Sequence, residues 1–473
     1  VDNVGRIMQT ISEVESSAGN DVYLTIDKNL QIATYRLIEQ QLAGILSSKI
    51  VNEDNPNSEG TDSTRRRIPV KDAYYQLIGN NVLDITRFSK EGASAIEQGL
   101  NAKLNAQKEN VIVSINNELT SGAPTVMNAL PEDTKEYMNY IHTALSKKNI
   151  IKNDNIDTKS EVYQAWKNET TTLRDYLFIG ISSGYIETSI FSDDTIYSSA
   201  EEIYSKLVEY IVNMLKDDPE FDKLLYKYLI KNNVVTGREL CLALFDQGIL
   251  NMDENAYNLL MTGNEGFAFS FFVDKISRIE ITPAQLALDP CSAGAVVTDV
   301  NTGEVRALVS YPGYDNNRLA NSMDVAYFNE LLEDESLPLY NNATQTKKAP
   351  GSTFKPITAI AGLEEHVINP NDIIVCNGIY DAINPAIKCW IYPGSHGPDS
   401  VVKAIQDSCN VYFAETGHRL STDENGVYSS ELGIERLRKY ASMFGLDRKS
   451  GIEIEENEPQ ISDINPEQSS IGQ

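Results

Sequence analysis

Ala349-Pro350-Gly351-Ser352-Thr353-Phe354-Lys355 is the stretch on which the fold reading rests. Pro350-Gly351 makes a turn, and a helical pattern runs from Ser352 to roughly Glu365. Positions three apart share a helix face, so the Lys355 amine comes within reach of the Ser352 hydroxyl. A serine hydroxyl is a weak nucleophile until a base takes its proton, and a lysine partly desolvated against a helix can be that base. The free amides of a helix start would also stabilise an oxyanion forming at Ser352. Ser-x-x-Lys is a weak signal by itself and recurs at Ser400-Val401-Val402-Lys403, where nothing suggests catalysis.

Context strengthens the first match. Ahead of it, Ala295 to Val300 and Glu304 to Ser310 are β-rich runs joined by Asn301-Thr302-Gly303, good hairpin-turn chemistry. Behind it comes Ser408-Cys409-Asn410, whose hydroxyl could relay a proton and whose amide could hold a substrate carbonyl. Ser-x-Asn is equally weak alone and recurs at Ser114-Ile115-Asn116.

Further out, Asp21 to Ile26 alternates like a strand, and Asp27 is a good N-cap for a helix whose stripe is Ile32, Tyr35, Ile38, Leu42 and Leu46. Asn52 to Arg67, with arginines at 65 to 67, reads as a surface loop. Long amphipathic helical patterns follow. Ser198-x-x-Glu201, Ser199-x-x-Glu202 and Thr236-x-x-Glu239 are capping boxes, and Asp218-Pro219 is a cap followed by a first-turn proline. Thr282-Pro283 opens a short helix. Beyond Gly451, Glu453, Glu455, Glu456, Glu458, Asp463 and Glu467 stand without any Lys or Arg, which predicts an exposed, solvated segment.

The chain has 473 residues and a formal net charge of −28, with 41% hydrophobic residues. That is ample for a buried core and adverse to nucleic acid or anionic lipid as partner. The 5 cysteines and 4 histidines look too few and too scattered for a zinc module, so no metal or cofactor is expected. Apolar runs are too short for a membrane helix, and the first residues do not resemble a signal peptide.

Several segments in order resemble class B penicillin-binding proteins, the peptidoglycan D,D-transpeptidases. They are Thr25 to Gln31, Gly294 to Val297, Ser310 to Asp315, Ala349 to Lys355, His396-Gly397 and Asp407 to Phe413. The resemblance covers about 1–46 and 283–473. It implies an α+β fold of the penicillin-binding/β-lactamase-like type, incomplete, with a large helical insertion. Residues 1–27 would end an N-terminal pedestal or linker, 28–46 and 283–473 would form the transpeptidase domain, and 47–282 the insertion.

By the same resemblance Ser352 would be acylated by a D-Ala-D-Ala stem peptide, Lys355 would be the base, Ser408 the proton relay and Asn410 a substrate contact. β-Lactams would trap Ser352. Cell-wall elongation or division proteins would be partners, and the domain would work outside the membrane, anchored by a helix upstream of Val1. A disulfide between Cys376 and Cys389 would suit that oxidising setting.

The departures also carry expectations. The family needs a third motif, Lys-Thr/Ser-Gly. The only match, Lys449-Ser450-Gly451, sits in Phe444 to Glu453, which resembles a different family segment, so it is rejected. Ser470-Ile471-Gly472-Gln473 resembles the start of the next helix. The chain is therefore expected to lack the third motif and to be weak or inactive. Asn341-Asn342-Ala343 stands where relatives often have Asn-Arg-Ala. Two other readings remain. One is a β-lactamase or β-lactam sensor of the same fold, although the Glu-x-x-Leu-Asn of class A β-lactamases is missing. The other is a non-catalytic cell-wall scaffold.

Overall fold

A computed structural model describes residues 19–54, 56, 66–191, 199–320, 322–463 and 465–473. The chain forms two compact units. The first takes the sequence up to Ala293 with Thr298–Ala307 and Tyr311–Leu339; the second takes Gly294–Val297, Leu308–Ser310 and Tyr340–Gln473. Helices dominate, and strands among the described residues pair only in twos, an α+β composition.

The first unit is helical because its capping chemistry and apolar stripes agree. Its longest helix, Ala95–Thr120, opens on a full capping box between Ser94 and Glu97 and buries Leu100, Leu104, Val111, Ile115 and Leu119. Caps of this kind are each worth about 1 kcal/mol. The boxes at Ser199/Glu202 and Thr236/Glu239 form as expected and open helices Ala200–Lys216 and Gly237–Asp246. Asp218 caps Pro219–Lys231, which buries Phe221, Leu225, Tyr228 and Leu229. Two lysines of the long helix, Lys103 and Lys108, pin it to Glu239 and Asp222, each at 2.6 Å. Ser198, Arg65, residues 1–18 and most of the Asn52 to Arg67 loop lie outside the described residues. No helix among the described residues is long and apolar enough to cross a membrane.

The expected strand at Asp21 to Ile26 does not form. Asp27 does cap helix Lys28–Lys49, accepting from the amides of Asn29 and Leu30. Before it, however, Val22, Tyr23 and Leu24 are exposed, and Thr25 Oγ1 to Val305 O (2.7 Å) and Asp27 N to Arg306 O (2.8 Å) tie the segment to the neighbouring strand. Alternation makes a strand only where one face is covered, and here neither is.

His142 tests the packing of this unit. Its ring stacks on Trp166 at 4.9 Å and lies 5.3 Å from Tyr176, and Nε2 is buried without a partner. Burial pushes its pKa down to about 4. A base with a depressed folded pKa favours the folded state while it is neutral. Its contribution is thus complete above the unfolded value near 6.5 and is lost as pH falls towards 4. Denaturation at pH 7 and pH 4.5 should show the helical unit losing up to about 3 kcal/mol, and His142→Phe should flatten that slope. An unchanged slope in the variant would remove His142 from this role.

The second unit centres on helix Asn410–Leu420, which buries Val411, Tyr412, Phe413, Ala414, Thr416 and Gly417. Helices Lys355–Glu364 and Ser430–Met443 pack on it. Short antiparallel pairs, Ile374–Cys376 with Gly397–Asp399 and Ile379–Tyr380 with Ile387–Lys388, cover one side. The predicted hairpin is present as strands Ala293–Thr298 and Val305–Tyr311, with Gly303 at φ +77° in the turn. The acidic terminal stretch is solvated only in part. Residues 453–455, 458 and 463 are exposed, but Glu467 is 1% exposed within a short helix, Pro466–Ser469, held between helices Asn410–Leu420 and Ser430–Met443.

Candidate active site

Ser352 sits in a tight 3-10 turn, Gly351–Phe354, that runs into helix Lys355–Glu364. Residues three apart eclipse one another in such a turn, which puts Ser352 and Lys355 on one side. Gly351 enters it at φ +63°, a backbone region that glycine reaches without steric cost. Ser352 is exposed and Lys355 is 2% exposed. The hydroxyl thus faces the outside while the amine is held inside.

Ser408 connects them. Its Oγ donates to Ser352 Oγ at 2.9 Å and accepts from Lys355 Nζ at 3.0 Å. Lys355 Nζ also donates to Ser408 O and to Asn410 Oδ1, both at 2.7 Å. All three ammonium protons are therefore spent on the Ser408-Cys409-Asn410 turn. Burial lowers the Lys355 pKa below that of a free lysine, so the neutral amine is easier to reach. Ser408 adopts φ +49°, uncommon for a residue with a side chain, and this bend aims its hydroxyl between the other two groups. Asn410 Nδ2 donates to Lys388 O at 3.0 Å, so one amide proton remains for another partner.

The structure brings together Ser352, Lys355, Ser408 and Asn410, all four residues singled out by sequence. It links Lys355 to Ser352 through Ser408, where the spacing alone suggested direct contact. The duplicate motifs have ordinary roles. Ser400 caps helix Val401–Gln406 and Lys403 pairs with Asp399 at 2.9 Å, while Ser114 to Asn116 lie within the long helix Ala95–Thr120. Lys449-Ser450-Gly451 lies in an exposed stretch outside any strand, tied to Glu456 and Glu458. Asn342 donates its backbone N–H to Ser310 Oγ at 2.9 Å, and its carbonyl comes so close to Gly294 that a Cβ there would lie 2.6 Å from the oxygen.

Residues 293–472 match the family profile described as penicillin binding protein transpeptidase domain. This stretch is a penicillin-binding protein transpeptidase domain. Its curated relatives put it with class B. The peptidoglycan D,D-transpeptidase MrdA of Haemophilus influenzae is 34% identical over 171 residues, 36% of this chain and 24% of that protein. Stage V sporulation protein D of Bacillus subtilis is 30% identical over 184 residues, 39% of this chain and 25% of that protein. Among solved structures, Pseudomonas aeruginosa PBP2 in complex with WCK 5153 is 29% identical with a TM-score of 0.33, covering 42% of this chain and 46% of that one. The chain thus spans about a quarter of the length of the curated relatives it matches.

The transpeptidase domain also holds a group of residues that sequence reading missed. Cys376, Cys389, His396 and Cys409 converge, with their donor atoms all within 4.8 Å of one another. No disulfide joins Cys376 and Cys389; all five cysteines are free. Both thiols turn towards His396 and Cys409, and the hairpin is held by strand pairing and by Cys389 N to Gly378 O at 2.9 Å. Three sulfurs and one imidazole are a tetrahedral zinc set, and zinc ligand bonds near 2.3 Å (S) and 2.0 Å (N) put S and N about 3.5 Å apart. Cys389 Sγ and His396 Nδ1 are 3.5 Å apart. The contact between Cys389 and Cys409 lowers the Cys389 pKa, while the same contact and burial push that of Cys409 up. The Trp390 indole donates to Asp407 O at 2.8 Å and its ring lies 5.5 Å from that of His396, which steadies the wall. The missed signal was mainly spatial: Cys389 and His396 are seven apart, but Cys376 and Cys409 join them only in the folded chain.

Proposed function

We propose that this protein cross-links peptidoglycan as a serine D,D-transpeptidase of the penicillin-binding class. The observation that carries the reading is the hydrogen-bonded row Ser352 Oγ, Ser408 Oγ, Lys355 Nζ. With Lys355 neutral, the Ser352 proton passes to Ser408 Oγ as the Ser408 proton passes to Lys355 Nζ. Ser352 Oγ then attacks the carbonyl carbon of the penultimate D-Ala, and the proton leaves with the terminal D-Ala amine. A second stem-peptide amine attacks the ester, closing the cross-link and returning the proton to Ser352. Asn410 offers its remaining amide proton to the substrate. A β-lactam has the same carbonyl without a departing amine and stays on Ser352 as an ester.

On this reading the domain acts at the extracytoplasmic face of the cell membrane, and residues 47–282 are a helical insertion suited to a cell-wall partner. A solved relative, PBP2 of Helicobacter pylori, is described in complex with MreC. The Cys376, Cys389, His396 and Cys409 set would hold a structural Zn2+. Four protein ligands fill the tetrahedron, leaving no open position for catalysis.

The test is prolonged incubation of the protein with a fluorescent penicillin, followed by mapping of the labelled peptide. A stable ester on Ser352 supports transpeptidase chemistry, label that turns over points to a β-lactamase, and no label leaves the scaffold.

The acylation rate should also rise with pH, because Lys355 must lose a proton to act as base. Its midpoint should fall below the usual lysine value near 10.4, since burial depresses it. A pH-independent rate would remove Lys355 as the base.

A further inference from the structure

The turn that carries Ser352 is braced by a segment more than a hundred residues further along the chain, Pro466 to Gly472. Gly351 N–H donates to Gly472 O at 2.9 Å, immediately before the nucleophile. Gly472 has φ +84°, and a Cβ there would lie 1.9 Å from Gly351 O, so only glycine fits. Two residues earlier, Ser470 O accepts from Thr358 Oγ1 at 2.9 Å, both residues fully buried, on the helix that begins with Lys355. The segment from Pro466 to Gly472 thus grips the nucleophile turn and its helix at two points.

Its own footing is equally specific. Gly417 makes room for it, since a Cβ there would lie 2.2 Å from Ser470 Oγ. Glu467 is the charged anchor. Oε1 is 3.1 Å from His418 Nδ1, Oε2 accepts from Tyr428 OH at 3.3 Å, and the His418 and Tyr428 rings stack at 5.0 Å. A carboxylate buried to 1% exposure persists only where such partners repay its lost hydration. None of these residues reaches the row Ser352, Ser408, Lys355. A nucleophile misplaced by even about 1 Å can lose some 10²-fold in rate, so a brace of this kind acts on the reaction without touching it.

We infer that Pro466–Gly472 is a positioning brace for Ser352, with Gly472 as its contact and Glu467 as its anchor. The inference rests on the acyl-serine reading for its kinetic arm only. Two variants test it, Gly472→Ala and Glu467→Gln, each followed by hydrogen–deuterium exchange and by the kinetics of penicillin acylation. Both should raise exchange in peptides covering 349–355 at least tenfold, with exchange in Ile374–Cys376 unchanged as the fold control. Both should lower the acylation rate constant tenfold or more while the concentration for half-saturation stays the same.

Unchanged exchange at 349–355 in Gly472→Ala overturns the brace, whatever the kinetics. Looser exchange with wild-type acylation overturns the positioning role. If Glu467→Gln also loosens Ile374–Cys376, it unsettles the unit as a whole, and Gly472→Ala alone decides. Should the wild type take no label, the acyl-serine reading fails, and the exchange arm still decides the brace.

Discussion

Replacing Ser352 with alanine is expected to abolish penicillin labelling, to below one part in a thousand of the wild-type signal (~10³-fold or more). The reason is chemical. The ester must form on an exposed hydroxyl that already lies 2.9 Å from a relay oxygen, and only Ser352 meets that condition in this site. Lys355→Ala should be slower by about 10²–10⁴, the range for losing a positioned base, yet still label Ser352. Ser408→Ala should resemble it, because Ser408 stands between the amine and the nucleophile. Ser400→Ala is the matched control, since that serine caps helix Val401–Gln406 and should cost stability of about 1 kcal/mol without touching the label. Mass spectrometry of the labelled peptide checks all four. Full labelling of Ser352→Ala would mean that another residue carries the acyl group.

The second large effect concerns metal. Purified protein is expected to hold one zinc per chain, and its removal is expected to unfold much of the second unit. Structural zinc contributes about 10–16 kcal/mol in small zinc domains, which matches or exceeds the roughly 5–15 kcal/mol stability of whole domains. Cys409 is buried in the core with Cys376, Cys389 and Tyr412, so losing the ion leaves three thiols facing one another in place of a bonded cluster. Cys376→Ala and Cys409→Ala should each lose the zinc and lower the melting temperature, whereas Cys241→Ala, in the core of the first unit and outside the cluster, should keep the zinc. The ion should also be released as pH falls, because each sulfur must be a thiolate to bind. Elemental analysis with calorimetry reads both. Protein prepared without metal that melts at the same temperature would refute the site.

How far the sequence could be read depended on whether the interaction was local. Ser352 and Lys355 are three apart, and the capping boxes at Ser199 and Thr236 are complete within four residues, so each was visible in a short window. The N-terminal alternation from Asp21 to Ile26 was also local, but a strand needs a covering neighbour, which no window shows. Cys376, Cys389, His396 and Cys409 meet only after two short strand pairs and a helix have folded. Their count looked sparse for the same reason. Glu467 was hidden differently: it belongs to a run of carboxylates that is otherwise solvated, and its burial comes from glycines at 417 and 433 that make room for the segment.

Ser408, Cys409 and Asn410 are consecutive, and each answers to a different demand. Ser408 holds a left-handed backbone beside Ser352, Cys409 points its sulfur at three other donors, and Asn410 joins Lys355 to the carbonyl of Lys388. Seen as a target for mutation, this tripeptide has almost no neutral neighbours. A change that eases drug contact at the first or third position has to leave the middle sulfur in register, and a lost sulfur cannot be supplied from either side. On the proposed acyl-serine reading, escape from a β-lactam through this turn would be a narrow path, with substitutions accumulating around it rather than in it.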